Sequence, residues 1–256
     1  MKTTDIKETI KEKTYSLEHE NGDSLEIRKI LNNLYEFDHF KIDEANRSLL
    51  DIAGKKLYNY CKTNSIILST DDRDYDIPIV RFLENNGFKI KYSKILFKKN
   101  LEEHKFLYKD IFDYKSIDEM GLEKFLKVFK EATEDDPERD ASCEDYFNGL
   151  VEMAGEKYEP KNWKAVVLDG KYIGIILPQI FPGYEDLGGI FSIDLIPEER
   201  NKGYGRIMFS KCLEILKELG IKKYIGSTNV LNKPMRRVFE IGSCKEWFKR
   251  NFYEAK

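Results

Sequence analysis

Residues 193–206 read Ile-Asp-Leu-Ile-Pro-Glu-Glu-Arg-Asn-Lys-Gly-Tyr-Gly-Arg. An apolar run ends at Pro197, glycines follow at Gly203 and Gly205, and a long amphipathic segment starts behind them. Glycine lets the backbone turn sharply and lets a ligand approach without a side chain in the way. The first N–H groups of a helix have no partner within it and carry the positive end of its dipole. A strand, a tight loop and a helix in that order therefore form a ready phosphate site. Lys202 and Arg206 can add charge to it. A plain strand-to-helix turn with solvated basic residues uses the same pattern. Two other phosphate loops fit worse. The third glycine of a dinucleotide fingerprint would fall at Met208, and no Gly-Lys-Ser/Thr of a Walker loop is present.

Acid–base groups near this loop are few. The histidines are His19, His39 and His104, so none follows residue 104. Acidic candidates are Asp194, Glu185 and Asp186, with Glu134, Asp135 and Asp136 in an acidic loop. Asp194 stands out because it sits in an apolar run, where a buried carboxylate needs a partner. A structural pair with a lysine or a backbone N–H would serve equally. Ser227, Ser243, Cys244 and Tyr224 are the hydroxyls and thiol that could supply a proton. Cys61, Cys143, Cys212 and Cys244 form no Cys-x-x-Cys pair, so structural zinc and a disulfide framework are not expected.

The elements that must position these groups follow from periodicity. Strands are expected over Ser24 to Ile30, Leu34 to Ile42, Ser65 to Leu68 and Phe88 to Phe97. Helices are expected from about Asp43, with Leu50, Ala53, Leu57, Tyr60 and Cys61 at helical spacing, and from Pro78 to Asn85-Asn86-Gly87. A charged stretch, Lys98 to Lys105, is the expected linker. Behind it come a strand over Phe106 to Asp113 and helices over Ile117 to Ala132 and Cys143 to Ala154. Trp163 to Leu168 and Tyr172 to Ile180 form an expected hairpin about Asp169-Gly170. Leu187 to Leu195 is a strand and Gly203 to Leu219 a helix with Met208, Cys212, Ile215 and Leu216 on one stripe. A strand over Tyr224 to Ser227, a helix from Pro234 to about Gly242 and a strand over Trp247 to Tyr253 complete the chain.

Both halves thus end as helix, short strand, proline-led helix, strand. Asp76 to Glu84 aligns without gaps on Asn232 to Glu240, and Ser69-Thr70 corresponds to Ser227-Thr228 with a two-residue shift. This reads as a divergent internal duplication. The alignment puts Ala45 opposite Gly203 and Arg47 opposite Gly205.

The 256 residues suffice for one large domain or two small ones. Apolar residues are 41 % and charged residues 35 %, an ordinary globular balance. Lys+Arg 43 against Asp+Glu 46 gives a net charge of −3, which points away from a nucleic-acid or membrane footprint. The longest uncharged stretch, Tyr172 to Tyr184, is too short to span a bilayer, and Met-Lys-Thr-Thr-Asp holds no apolar signal region. A soluble, cytoplasmic protein is expected.

Arg200-x-x-Gly203-x-Gly205, behind a strand and Pro197, resembles the acyl-CoA motif of the GNAT N-acyltransferase superfamily, Gln/Arg-x-x-Gly-x-Gly/Ala. Asn232-x-x-Met235 followed by Phe239 resembles that family's next motif, and the element order from about residue 106 onward matches as well. The resemblance implies an α/β (α+β) fold of two GNAT-like domains, each a mixed, mostly antiparallel sheet flanked by helices. Residues 1–103 would be a degenerate copy without a CoA loop, and 104–256 the catalytic copy. It implies acetyl-CoA or a related acyl-CoA as co-substrate, no metal, and transfer to an amine of a small molecule or peptide by direct attack. Backbone groups of Ile193, Asp194 and Leu195 would pair with the pantetheine arm. The loop Asn201, Lys202, Gly203, Tyr204, Gly205 and Arg206, with Asn232, would hold the rest of the cofactor.

Two positions depart from the family pattern. A tyrosine that protonates the leaving thiolate is replaced by Phe239, and a glutamate on the strand before the loop is replaced by Phe191. Of the groups named above, Asp194, Ser243 and Cys244 are singled out as catalytic candidates, and the others stay open. Those departures also motivate a second reading, a non-catalytic CoA-binding or protein-interaction module. A nucleotide-binding regulator using the same loop is a third. The acceptor and the oligomeric state are not encoded in any motif.

Overall fold

A computed structural model describes residues 6–31, 33–73, 77–102, 108–135 and 142–256. His104 and Asp136, and the expected boundary at 103/104, lie outside the described residues. Contacts divide the chain into two compact units, Met1–Ile95 with Phe248–Lys256, and Leu96–Trp247. Residues 248–256, grouped by sequence with the second half, thus pack with the first unit.

The first unit is built on β1 (Ile6–Ile10), β2 (Thr14–His19), β3 (Ser24–Leu31), β4 (Leu34–Lys41), α1 (Arg47–Thr63), β5 (Ile67–Asp71) and α2 (Ile77–Asn85). β6 (Lys89–Asn100) and β12 (Lys245–Glu254) each run across a unit boundary. Its strand order starts β1-β2-β3-β4-β5-β12, antiparallel except for the parallel pair β4–β5. α1 forms because Leu49, Ala53, Leu57 and Cys61 recur every fourth residue and are buried. They pack on Leu25, Ile27, Leu68 and Tyr253 of the sheet.

The second unit holds β7 (Asp113–Ser116), α3 (Ile117–Met120), α4 (Leu122–Thr133), α5 (Cys143–Ala154), β8 (Lys164–Leu168), β9 (Lys171–Ile180), β10 (Leu187–Leu195), α6 (Tyr204–Glu218), β11 (Lys223–Asn229) and α7 (Lys233–Ile241). Strand order is β11-β10-β9-β8-β7, antiparallel except for the parallel pair β10–β11. Helices cover both faces. α4 and α5 bury Phe125, Phe129 and Phe147 around Trp163. α6 buries Met208 and Cys212 on Ile173 and Ile176. The fold is therefore mixed α/β with mostly antiparallel sheet flanked by helices.

Several expected elements differ. Residues 98–100 of the expected linker continue β6, and the strand expected over Ser65 to Leu68 is β5 at Ile67–Asp71. The strand expected over Phe106 to Asp113 appears as β7 at Asp113–Ser116. Among residues 108–112 no strand forms, because the Asp110 carboxylate accepts from the Phe112 amide at 3.1 Å and makes a local turn instead. The helix expected over Ile117 to Ala132 is broken at Gly121, whose φ of +80° suits glycine and ends α3 before α4 begins. The hairpin β8–β9 turns on Asp169 and Gly170, both with positive φ (49° and 77°), as a two-residue primed turn requires.

Candidate functional site

β10 and β11 form a fork. They pair only at Leu187 with Lys223 and Gly188 with Tyr224, and among the described residues no further β10–β11 pair exists. Lys223 closes this end, pairing with Asp186 at 2.8 Å, while the Asp186 carbonyl accepts from the Lys222 and Lys223 amides. Gly189 stands where the strands part. A Cβ there would lie 2.8 Å from the Ile225 carbonyl oxygen, so only glycine allows the approach. Beyond it β10 stays paired with β9 as far as Leu195 opposite Gly174, with its other edge turned away from any partner strand. Such an edge can pair with an extended ligand.

A β-bulge shapes the fork. Ile190 pairs with Pro178 and Ile193 with Ile176, so β10 carries one residue more than β9 over this step. Ile190, Ile193 and Leu195 all pack on the α6 side of the sheet. Phe191 and Ile196 pack on the α4 side. Phe191 and Ser192 are the two residues between Ile190 and Ile193. The bulge thus shifts the alternation, and Asp194 falls on the α4 face.

The chain leaves β10 through Pro197–Glu199 and enters α6 with Asn201 at φ +63° and Gly203 at φ +80°. Gly203 caps α6 without any side-chain hydrogen bond, so the head of α6 is bare. The bare N–H groups sit directly downstream of the fork and attract an anion. The two cations expected there differ. Lys202 is tied to Glu199 at 2.8 Å. Arg206 folds back over the loop, with its guanidinium 3.5 Å from where a Gly203 Cβ would lie and 5.0 Å from the Tyr108 ring centre. Tyr204 packs edge-on to Phe112. A Cβ at Gly205 would make only an ordinary 3.7 Å contact with Val238.

Arg200 locks the loop. Its Nε donates to the Leu195 carbonyl at 2.9 Å and its terminal nitrogens to the Asp135 carboxylate and to the Ala132 carbonyl at 3.2 Å. Both ends of the fixed segment, β10 and α4, are thereby joined. The guanidinium holds the Asp135 carboxyl below its usual range, chiefly through the side-chain hydrogen bond. No sequence signal connects residues so far apart in the chain.

The expected catalytic groups scatter. Asp194 is half-buried beside the fork and accepts a hydrogen bond from Ser192. Asn232 heads α7, its side-chain oxygen accepting from the Met235 amide at 3.0 Å. Ser243 and Cys244 follow the other end of α7, a length of about 13 Å at 1.5 Å per residue. Burial pushes the Cys244 thiol up to about 12. Tyr224 is buried, and its hydroxyl is held far from ionisation by burial first and then by Cys244 and Cys212. Phe239 is core: it stacks on Phe97 at 4.5 Å and meets Phe209 edge-on. Phe191 packs between Trp163 and Phe181. Glu185 and Glu134 are exposed. No cluster of metal-ligating side chains exists among the described residues, and no described helix is long and apolar enough to cross a membrane.

The first unit repeats the plan. β4 pairs in parallel with β5 over Leu34–Ile67, Tyr35–Leu68 and Glu36–Ser69. Glu26 pairs with His39 and Ile27 with Phe37, so Asp38 is an extra residue on β4 as in β10. The helix heads correct the expected alignment by one position: Asn46 caps α1 as Gly203 caps α6, which sets Ser48, not Arg47, opposite Gly205. Across this fork Arg250 binds Glu36 and Asp71, each at 2.7 Å, and Ser69 donates to Glu36 at 3.1 Å.

The model of the acetyltransferase (GNAT) family matches residues 122–242. None of the curated proteins matches the chain in sequence. Among solved structures, a GCN5-related N-acetyltransferase from Sphaerobacter thermophilus is similar at TM-score 0.69 and 11 % identity, over 96 % of this chain and 81 % of that one. A tandem GNAT protein from the clavulanic acid biosynthesis pathway is similar at TM-score 0.62 and 13 % identity, over 95 % and 83 %. A functionally unknown conserved protein from Staphylococcus epidermidis is similar at TM-score 0.59 and 11 % identity, over 98 % and 94 %. At such identities the likeness is one of fold.

Proposed function

We propose, from the premise that residues 122–242 belong to the GNAT acetyltransferase family, that the second unit transfers an acetyl group from acetyl-CoA to an amine. The observation that carries this reading is the bare head of α6 at the mouth of the β10–β11 fork. Together they fit an acyl-CoA in two parts. The open edge of β10 at Ile193, Asp194 and Leu195 offers backbone groups to the amide-bearing pantetheine arm. The N–H groups from Asn201 to Arg206, with the Arg206 guanidinium, take the pyrophosphate. Asn232, committed to capping α7, shapes the far side of the fork.

In this reading the protein holds the thioester carbonyl and the amine in one geometry, which is most of the catalytic task. The amine arrives as an ammonium ion and gives up a proton. Its nitrogen then attacks the thioester carbon, the C–N bond forms, and the C–S bond breaks. The thiolate leaves with the bonding electrons and takes the second amine proton. Asp194 is the acceptor of the first proton. A CoA thiol has an ordinary thiol pKa near 8.5, so its thiolate departs without an acid at Phe239. Burial pushes the Cys244 thiol up to about 12, which makes it a weaker acid than the thiol it would protonate, and Ser243 stays as the candidate donor. Small-molecule and peptide amines both fit, in a cytoplasmic setting.

Calorimetric titration of the full-length chain with acetyl-CoA tests the reading. Saturable binding near one site per chain supports it, and absence of heat overturns it. The burial of Phe239 in an aromatic core favours a second reading, a CoA-binding module without turnover. Binding without thiol release across a panel of primary amines would select that one.

A further inference from the structure

The bulge in β10 does more than open the fork. Without the extra residue, Ile190, Ser192 and Asp194 would share one face, against α6. With it, Ile193 and Leu195 take the α6 face, and Ser192 and Asp194 turn together toward α4. Ser192 is 7 % exposed, and its hydroxyl donates to the Asp194 carboxylate. Asp194 lies opposite Ile175, a fully buried residue of the α4-side core. Arg200 is fixed by Leu195, Ala132 and Asp135, and Asp194 adds to the negative field on its guanidinium. A carboxylate on a strand two residues beyond a hydroxyl that donates to it has its orientation set in part by that bond.

We propose that Ser192 is a positioning residue whose hydroxyl, turned by the β10 bulge onto the α4 face, aims the Asp194 carboxylate at the ammonium group of the acceptor. The inference rests on the acetyl-transfer reading above. A carboxylate receives the ammonium proton only within hydrogen-bond reach of it, so geometry governs before acidity does. In a strand, Asp194 has few rotamers, and the Ser192 hydrogen bond selects one of them. Alanine at 192 removes the hydroxyl that donates to the carboxylate and keeps the backbone of the strand.

The test uses the full chain and four variants: Ser192→Ala, Ser192→Thr, Asp194→Asn and the Ser192→Ala/Asp194→Asn double. Acetyl-CoA titration comes first, then thiol release from acetyl-CoA with a panel of primary amines. Ser192→Ala is expected to bind acetyl-CoA as the parent does and to lose on the order of tenfold in kcat/KM for the amine, a small part of a general-base contribution. Ser192→Thr, which keeps the hydroxyl, restores it to within about threefold. Asp194→Asn loses at least as much, and the double variant loses no more than Asp194→Asn alone, the mark of two residues acting as one. Full activity in Ser192→Ala, failure of threonine to rescue, or additive losses overturn the inference and leave the cofactor reading standing. Acetyl-CoA binding with no turnover of any amine overturns it too. Absence of acetyl-CoA binding in the parent chain instead overturns the reading beneath it.

Discussion

Asn46 fills with its own side chain the position that Gly203 leaves bare. At the head of α1 the Asn46 oxygen accepts from the Leu49 amide at 3.3 Å, while at the head of α6 Gly203 offers no side chain. The two helices follow equivalent bulged strands, β4 and β10, in the two units. The head of α1 is thus capped by a side chain, and the head of α6 is not. The Arg250, Glu36 and Ser69 bonds close the first fork as well.

Replacing that cap separates stability from binding. Asn46→Ala removes an N-cap hydrogen bond, which costs about 1 kcal/mol in typical helices. The variant is expected to melt a few degrees lower and to bind acetyl-CoA with the same single-site stoichiometry. Differential scanning calorimetry and a titration check both. A second binding event in the variant would show that the first unit retains a usable site.

The glycines of the loop differ in what they tolerate. Gly203 has φ +80°, where a β-branched residue is strained by about 1–2 kcal/mol and would project a side chain into the cradle. Gly203→Val is expected to abolish acetyl-CoA binding. Gly205→Ala adds a methyl group that meets only Val238 at 3.7 Å. It is expected to fold normally and to keep binding within about threefold, since 0.65 kcal/mol corresponds to that ratio. Equal binding by Gly203→Val and the parent would remove this loop from the site.

Asp135 ties the loop to α4 through Arg200, and its carboxyl is held below the ordinary range near 3.9 by that hydrogen bond. A carboxylate lowered in the folded state contributes stability above its unfolded pKa and loses it as pH falls through the folded value. The stability difference between the parent and Asp135→Asn is therefore expected in full at pH 6 and to shrink below pH 4. Both groups are substantially exposed, so the effect is small and weakens with salt. Thermal unfolding at pH 6 and pH 3 in low salt measures it. An unchanged gap at pH 3 would mean that the pair contributes through packing alone.

Local signals carried much of this architecture. β10 and α5 begin and end where periodicity and capping place them, and Gly203 and Gly205 mark the loop by type alone. What escaped depends on partners. The bulge exists only relative to β9, and nothing in Ile190 to Asp194 shows that the alternation slips there. Asp194 stands out in the sequence as a carboxylate in an apolar run, but the face it takes does not, and Ser192 carries no signal. Arg200 and Asp135 meet through tertiary packing. β1 and β2 are short, polar-rich strands whose pairing depends on β3. Asn46 was one residue out of register because the matching segment, Ser69-Thr70 with Ser227-Thr228, lies beyond helices of unequal length. The destination of the last strand was hidden for a related reason, since Phe248 to Tyr253 would complete either unit.

That last strand makes the first unit depend on the chain's end. Residues 250–254 pair antiparallel with Ile67–Asp71, Ser93 donates to the Asn251 side chain at 2.7 Å, and Tyr253 is buried in the core around α1. Arg250 joins Glu36 and Asp71, and the Asp71 side chain is only 5 % exposed. Arg250→Ala removes an ion-pair partner from both Glu36 and Asp71. Breaking a fully buried pair costs about 3–5 kcal/mol. Arg250 and Glu36 are each about a third exposed, which reduces the expected cost to about 1–3 kcal/mol. Deletion of residues 248–256 removes every β12 residue that pairs with β5 and is expected to abolish cooperative unfolding of the first unit. Urea denaturation followed by circular dichroism distinguishes the outcomes. A deletion variant that unfolds as cooperatively as the parent would show that β5 needs no partner from the C-terminus.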